Sequence, residues 1–368
     1  MHIYIHVPFC RKKCLYCGFA SIPVDQEAVE AYIQTVIREI ELRARQIFDR
    51  QVQTVFVGGG TPSLLPISAL KRLLGAVTYF FSWSKDAEIS LEANPDSIHS
   101  VEQVRAWKEL GVNRISLGVQ SLDRNTLGFL GRSHTVEQAE SAVQYFKQAC
   151  VYNFGLDLIW GIPGQDAVSW RRTVHKALAW NPAHLSLYSL SVEPNTPLAR
   201  LEETNCLEWQ DELDWEQMFL GAQELLVQSG YEHYEISNYA LPGRQCRHNS
   251  SIWQGEEYIG FGPSAVSTVQ GIRRYNPEGL ADYVQMIASN RPVWKEEVVT
   301  SATARWEQTM LGLRTSRGIA WHDAQSQLDM EAVRRLKHAG FFKISCGRLA
   351  LTSKGMLVSN EILAQILP

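Results

Sequence analysis

The chain has 368 residues, 45% of them hydrophobic and 20% charged, with a formal net charge of −4. Such a chain buries a sizeable core in one large and one small domain, and its weak negative charge leaves no electrostatic footprint for nucleic acid. No apolar run approaches the roughly 18 residues of a membrane span, and the opening MHIYIHVPF lacks the regions of a signal peptide.

Apolar and polar residues alternate over 2–7, which predicts a strand leading into HVPFCRKKCLYCGF. Residues 26–47 have helical spacing (Val29, Ile33, Val36, Ile37, Ile40) without Gly or Pro. A buried strand at 54–57 stops in Gly58-Gly59-Gly60-Thr61-Pro62. Strands at 88–91, 114–117, 154–159 and 184–190 stop in Glu92-Ala93-Asn94-Pro95, Gly118-Val119-Gln120-Ser121, Trp160-Gly161-Ile162-Pro163-Gly164 and Ser191-Val192-Glu193-Pro194. Helical stretches at 101–110, 136–148 and 168–178 separate them. Six strand–helix units in order predict an α/β fold, a parallel barrel or open sheet with helices outside; periodicity does not decide closure. Chemistry in such folds gathers at the C-terminal strand ends, where these Gly, Pro and polar residues fall.

The pattern changes after about residue 205. Residues 207–228 read as an amphipathic helix, and 231–267 as a loop-rich segment with aromatics. From 300 the chain reads as helices followed by a hairpin around Cys346-Gly347, like a winged helix. Without a concentrated basic face that module is expected to pack or cover rather than bind DNA. The expected organisation is a barrel over 1–205, a connecting segment over 206–299 and a C-terminal module over 300–368.

Cys10, Cys14 and Cys17 follow a C-x3-C-x2-C spacing. Three thiolates with no local fourth suit a [4Fe–4S] cluster with one open iron, which can bind a ligand. The alternative is structural zinc with His6 or a distant cysteine, but no second C-x2-C pair exists. The other cysteines, Cys150, Cys206, Cys246 and Cys346, are scattered. No disulfide framework results, and a reducing cytoplasm is expected.

Gly58, Gly59 and Gly60 are expected to leave backbone groups bare for a ligand's charged end; a tight turn alone needs fewer glycines. Glu92, Gln120, Arg132 and Asp157 lie at or just past strand ends. Asp157 is an acid inside an apolar stretch, where burial costs several kcal/mol unless it is paired or bound to a ligand. A ribose diol would suit it, and an ion pair with Arg132 is the structural alternative. His248, in Cys246-Arg247-His248-Asn249-Ser250-Ser251-Ile252-Trp253, is a candidate haem ligand through its imidazole, against an ordinary surface or core histidine.

Together, the cysteine loop, the Gly58–Pro62 run, Gly118-Val119-Gln120-Ser121, Gly131-Arg132-x-His134 and the run from Asp157 to Pro163 resemble radical S-adenosylmethionine proteins. They resemble in particular the group around oxygen-independent coproporphyrinogen oxidase. The resemblance covers nearly the whole chain, including Leu351-Thr352-x-x-Gly355. It implies a partial (β/α)6 barrel whose cluster's open iron is chelated by S-adenosylmethionine. It also implies that Tyr4, Tyr16, Gly59, Gly60, Thr61, Glu92, Gln120, Arg132 and Asp157 line that site. Reductive cleavage of the sulfonium would follow in an enzyme of this class.

Within the group, the oxidase carries another cysteine two positions after the triad, where this chain has Phe19, and an N-terminal extension this chain is expected to lack. The haem-chaperone branch resembles the chain at both points. Its H-N-x-x-Y-W motif matches His248, Asn249 and Trp253, with Ile252 in place of Tyr. The favoured expectation is a cytoplasmic haem chaperone that delivers haem to apo-haemoproteins such as respiratory enzymes. Its partners would be haem, those recipients, an electron donor for the cluster and, optionally, a second copy of the chain. The alternatives are an enzyme of tetrapyrrole metabolism (the oxidase, or a haem-directed radical methyltransferase) and a degenerate binding module.

Alanine at Cys10, Cys14 or Cys17 should bleach the broad iron–sulfur absorbance of reconstituted protein, because two thiolates cannot hold three irons. A Cys14→Ala protein that takes up about four irons per chain would refute the cluster assignment.

Overall fold

The computed structural model describes residues 1–47, 51–289 and 291–367. Six parallel strands lie side by side in chain order: β1 (His2–Val7), β2 (Gln51–Gly59), β3 (Ser82–Ala93), β4 (Arg114–Gln120), β5 (Phe154–Trp160) and β6 (His184–Ser189). The crossovers run through α1 (Gln26–Ala44), α2 (Ile67–Phe80), α3 (Val101–Glu109), α4 (Val136–Gln148) and α5 (Ala167–Ala179). Local chemistry sets where these helices begin. The Asp25 carboxylate accepts the Ala28 N–H at 2.9 Å, and reciprocal capping pairs Thr135–Gln138 and Asp166–Ser169 open α4 and α5.

Side-chain alternation gives the strands two different faces. Ile3, Ile5, Val55, Val57, Leu91, Leu117, Leu156 and Leu185 are buried in the main apolar core with the helices. The intervening residues, among them Tyr4, Phe56, Ser90, Glu92, Ser116 and Asp157, line cavities on the inner face. β3 begins six residues before the sequence predicts: in Ser82–Asp86 only Trp83 is apolar, too little for a strand signal, yet Gln51 and Val52 pair with Ser82 and Trp83.

The sheet continues beyond the six. β7 (Glu232–His233) and β8 (Asn238–Ala240) extend it antiparallel past β6. β9 (Tyr258–Phe261) adds parallel to β1, and β10 (Val266–Val269), β11 (Ile272–Tyr275) and β12 (Lys295–Val298) follow as a meander. The order is β12-β11-β10-β9-β1-β2-β3-β4-β5-β6-β8-β7, and among the described residues its two edges do not pair, so the barrel stays open. The stretch 231–267, predicted as loop-rich, therefore supplies sheet; strands of two to four residues are too short for a period-two signal.

α6 (Glu212–Gln228) packs on α5, with Trp170 Nε1 donating to the Met218 carbonyl at 3.0 Å. α7 (Arg247–Trp253) joins β8 to β9. Ala240 pairs with His184 and Tyr258 with His2, so α7 crosses the N-terminal end of the barrel. From residue 300 come helices and a three-stranded sheet in which Phe342–Ser345 and Arg348–Leu351 form a hairpin; Cys346 and Gly347 take left-handed φ values of 49° and 70° at its turn. The apolar core that holds Ile3 also holds Leu349 and Ile366, so this module packs on the barrel.

A buried ion-pair network fixes β9 beside β1. Glu39, fully buried, accepts from Arg43 at 3.3 Å, Asn276 at 2.9 Å, the Gly262 N–H at 3.0 Å and Tyr283 at 2.7 Å. Arg43 donates onward to the Gly260 carbonyl and Ser267. Removing one partner strands the other charge. Glu39→Ala should cost about 3–5 kcal/mol, read as a lower urea midpoint; an unchanged midpoint would contradict the role given to this network.

Candidate functional site

Strand β1 delivers the chain into the cysteine loop at the C-terminal end of the sheet. The loop is pinned at several points: Ile22 N–H to the Pro8 carbonyl at 2.8 Å, Leu15 N–H to Leu130 at 3.2 Å and Leu198 N–H to Leu15 at 2.9 Å. Cys10, Cys14 and Cys17 are free, half-buried thiols on the wall of a cavity of about 680 Å³. Thr61 Oγ1 donates to Cys10 Sγ at 3.6 Å, and Arg132 Nη1 to Cys14 Sγ at 3.3 Å. Donors of this kind stabilise thiolates. Among the described residues no three His, Cys, Asp or Glu side chains gather round a single-ion position. His6, weighed as a zinc ligand, has its ring against Gly59 and its Nδ1 2.9 Å from the Tyr4 hydroxyl.

Of the backbone groups expected to lie bare, the N–H groups of Gly59 and Gly60 are engaged, although both glycines line the cavity. The Gly59 N–H donates to Glu92 Oε2 at 3.0 Å and the Gly60 N–H to the Val7 carbonyl at 2.8 Å, so neither is bare for a ligand. Their requirement is steric. A Cβ on Gly60 would lie 2.6 Å from the Phe9 carbonyl oxygen and 3.0 Å from Cys10 Sγ, and Gly59 has φ +112°.

Tyr16, Gly59, Gly60, Thr61, Glu92, Gln120, Arg132 and Asp157 all line the same cavity as the cysteines. Gln120 sits at a bulge between β4 and β5 with a left-handed φ of 64°, strain that collects at functional walls. Arg132 does not pair with Asp157. It donates instead to Asn94 Oδ1 and the Gly118 carbonyl, each at 2.8 Å. Among the described residues Asp157 accepts from hydroxyls, with Ser116 Oγ 3.0 Å from both of its oxygens. Burial raises its pKa, against hydroxyl hydrogen bonds that lower it. Burial, then the nearby Asp157 charge, pushes Glu92 up to about 8.

Tyr4, expected in this lining, and His248, the candidate haem ligand, lie elsewhere. Tyr4 faces a second cavity of about 410 Å³, deeper in the barrel, because its position on β1 is a layer below the cysteine loop. His248 lines that same cavity from α7, at the N-terminal end, so its helix does not close over the cluster mouth. From His2 to Val7 the strand rise alone separates these ends by about 16 Å. Glu92, Ser116, Asp157 and Tyr188 line both cavities and form the wall between them. Asn94 was missed: its Nδ2 donates to Thr61 at 3.0 Å and its Oδ1 accepts from Arg132, tying together the two donors to sulfur. Its place at the end of β3 was the available signal.

The residues fit a cluster with S-adenosylmethionine. Three thiols, sulfur-directed donors, close-approach glycines and two acids without a cationic partner would hold iron, an ammonium or sulfonium charge and a ribose diol. Fold and site thus define a radical S-adenosylmethionine protein. The radical SAM superfamily model matches residues 4–177. The heme chaperone HemW of Synechocystis sp. is 38% identical over 90% of this chain and 82% of its own length. HemW of Lactococcus lactis is 32% identical over 99% and 96%, and that of Bacillus subtilis 30% over 99% and 98%. The chain belongs to the HemW family of radical SAM proteins. In fold it is similar to the coproporphyrinogen III oxidase HemN of Escherichia coli, with a TM-score of 0.84 over 98% of this chain and 88% of that one at 22% identity.

Glu92 carries a pH signature. Its folded pKa of about 8 lies above its ordinary 4.5, so the folded state holds the proton more tightly. Stability from this group is complete below the ordinary value and is lost as pH rises through about 8. Relative to wild type, ligand-free Glu92→Gln should gain melting temperature between pH 5 and pH 9. Parallel pH profiles for the two proteins would refute the burial argument.

Proposed function

We propose that the protein is a haem chaperone that binds haem in the cytoplasm and passes it to apo-haemoproteins such as respiratory enzymes. The observation that carries this reading is the end-to-end match to HemW relatives. When bound, the [4Fe–4S] cluster and S-adenosylmethionine supply one-electron chemistry. Cys10, Cys14 and Cys17 would hold the cluster, while Glu92, Gln120, Arg132 and Asp157 would orient the ligand beside it. An electron donor for the cluster is a further partner on this reading.

On this reading haem would bind at the inner cavity. Tyr4, Phe56, Ile252, Trp253 and Tyr258 supply its apolar and aromatic lining, and His248 its imidazole. Glu92, Asp157 and Glu235 line the same space; Glu235 is 1% exposed, and burial pushes it up to about 7. A propionate carboxylate buried among acids that already resist ionisation would cost still more, so haem would enter by its apolar edge with the propionates outward. The proposed division follows: a barrel over 1–205, a segment over 206–299 that carries α7 beneath it, and a module from 300. Phe19, 62% exposed on the rim of the cluster cavity, stands where the oxidase resemblance places a cysteine.

Anaerobic protein should bind one haem per chain, with a Soret band that moves in His248→Ala. Transfer to an apo-haemoprotein should fail in Cys14→Ala. Superstoichiometric uptake with no spectral change in His248→Ala would mean adsorption to apolar surface. A vinyl product from coproporphyrinogen III, S-adenosylmethionine and reductant would replace the chaperone reading with the oxidase.

A further inference from the structure

A hydrogen-bonded chain runs from the protein surface to the ring of His248. Glu256 Oε2 lies 2.7 Å from His2 Nε2, His2 Nδ1 lies 2.9 Å from Thr54 Oγ1, and Thr54 Oγ1 lies 2.8 Å from His248 Nδ1. Glu256 is half exposed, while His2, Thr54 and His248 are buried. All three contacts are short enough that each needs one hydrogen between its atoms.

The chain therefore has a direction. An ionised carboxylate only accepts, so His2 Nε2 carries a hydrogen. His2 is buried, and a neutral imidazole has a single N–H, so with its hydrogen on Nε2 the Nδ1 keeps a lone pair. The hydroxyl of Thr54 has one hydrogen and gives it to that lone pair. Its oxygen must then accept from His248, so His248 carries its hydrogen on Nδ1. Nε2 of His248 keeps a lone pair and has no hydrogen-bond partner among the described residues, while the ring lines the inner cavity.

Two further contacts hold the residue in place. Phe56 stacks on the ring with centroids 5.2 Å apart and planes at 29°, and the backbone N–H of His248 donates to Glu88 Oε1 at 3.1 Å, which fixes the main chain from which the ring projects. A histidine whose outer nitrogen donates to a fixed acceptor is the arrangement that presents the other nitrogen to a metal.

We infer that Glu256, His2 and Thr54 are positioning residues that lock His248 in its Nδ1–H tautomer and aim the bare Nε2 at haem iron. The inference rests on reading His248 as a haem-contacting residue. None of the three positioning residues needs to touch haem. Thr54 and His2 serve through the hydrogen bonds alone, and Glu256 sets their direction from outside the barrel.

Imidazole 15N shifts of His248 in ligand-free protein, assigned against His248→Gln, report the tautomer directly. Hydrogen on Nδ1 is expected; hydrogen on Nε2 overturns the inference whatever haem does. Haem titration then separates two substitutions at one buried position. Thr54→Val keeps the shape but removes the hydroxyl, and should weaken haem binding about tenfold while moving the Soret band toward that of His248→Ala. Thr54→Ser restores the hydroxyl and should restore both. Wild-type affinity and Soret position in Thr54→Val overturn the positioning role. Should Thr54→Val not fold, the wild-type tautomer and the Ser variant still decide. A correct tautomer with His248-dependent haem binding, but no transfer to any apo-haemoprotein, would leave this inference standing and remove the chaperone reading.

Discussion

Six parallel strands with helices outside have one face that apolar side chains can fill, and an opposite face that curls toward itself. That inner face is the constraint on which the molecule depends. Here it is not filled with branched aliphatics but with Tyr4, Phe56, Ser90, Glu92, Ser116, Asp157 and Ser186 at alternate positions. Buried polar groups must find partners or ligands, since each one left alone costs of order 1–3 kcal/mol. Among the described residues several atoms here have no protein partner, including Ser90 Oγ, His184 Nδ1, Glu235 Oε1 and Asn238 Oδ1. The outer face supplies the stability that lets the inner face stay polar.

Strand register then sorts the inner residues into layers. At the N-terminal end, His2 pairs with Thr54 and Thr54 with Glu88, and α7 rests on that layer through His248 and Arg247. One step up, Tyr4, Phe56 and Ser90 fall in register. Next come Gly58, beside His6, and the paired Glu92 and Ser116, directly under the cysteine loop. Gly58 has to be glycine because a Cβ would meet Phe56 at 2.8 Å and Glu92 at 3.0 Å. The glycine run is thus the consequence of an aromatic layer, an acid layer and a sulfur layer stacked within a few residues of backbone.

Much of this architecture is legible in the order of the amino acids. The cysteine spacing, the six strand–helix units and the polar strand ends each carry a local signal, and eight of the expected site residues share the cluster cavity. Depth is what the order of residues does not show. A motif shows that Tyr4 and His248 matter to something, but only register shows that they face the inner cavity rather than the mouth. The glycines mislead because spacing shows where backbone is small, not where its N–H groups point. Asn94 escapes notice because its importance lies in bridging Thr61 and Arg132, which are 71 residues apart in sequence and adjacent only in the fold. Strands β7 to β12 escape it because strands of only a few residues borrow their conformation from the neighbours they pair with.

The wall between the two cavities joins these threads. Glu92 and Asp157 face both spaces, and burial makes each of them hold its proton more tightly than usual. A cation drawn to them from the cysteine side favours their ionised forms and so changes the field in the space where His248 lies. Linkage makes that effect mutual: an occupant of the inner cavity that penalises negative charge at the wall must weaken the cation above by the same free energy. Two charged occupants, one in each space, would feel each other through the ionisation of these shared acids.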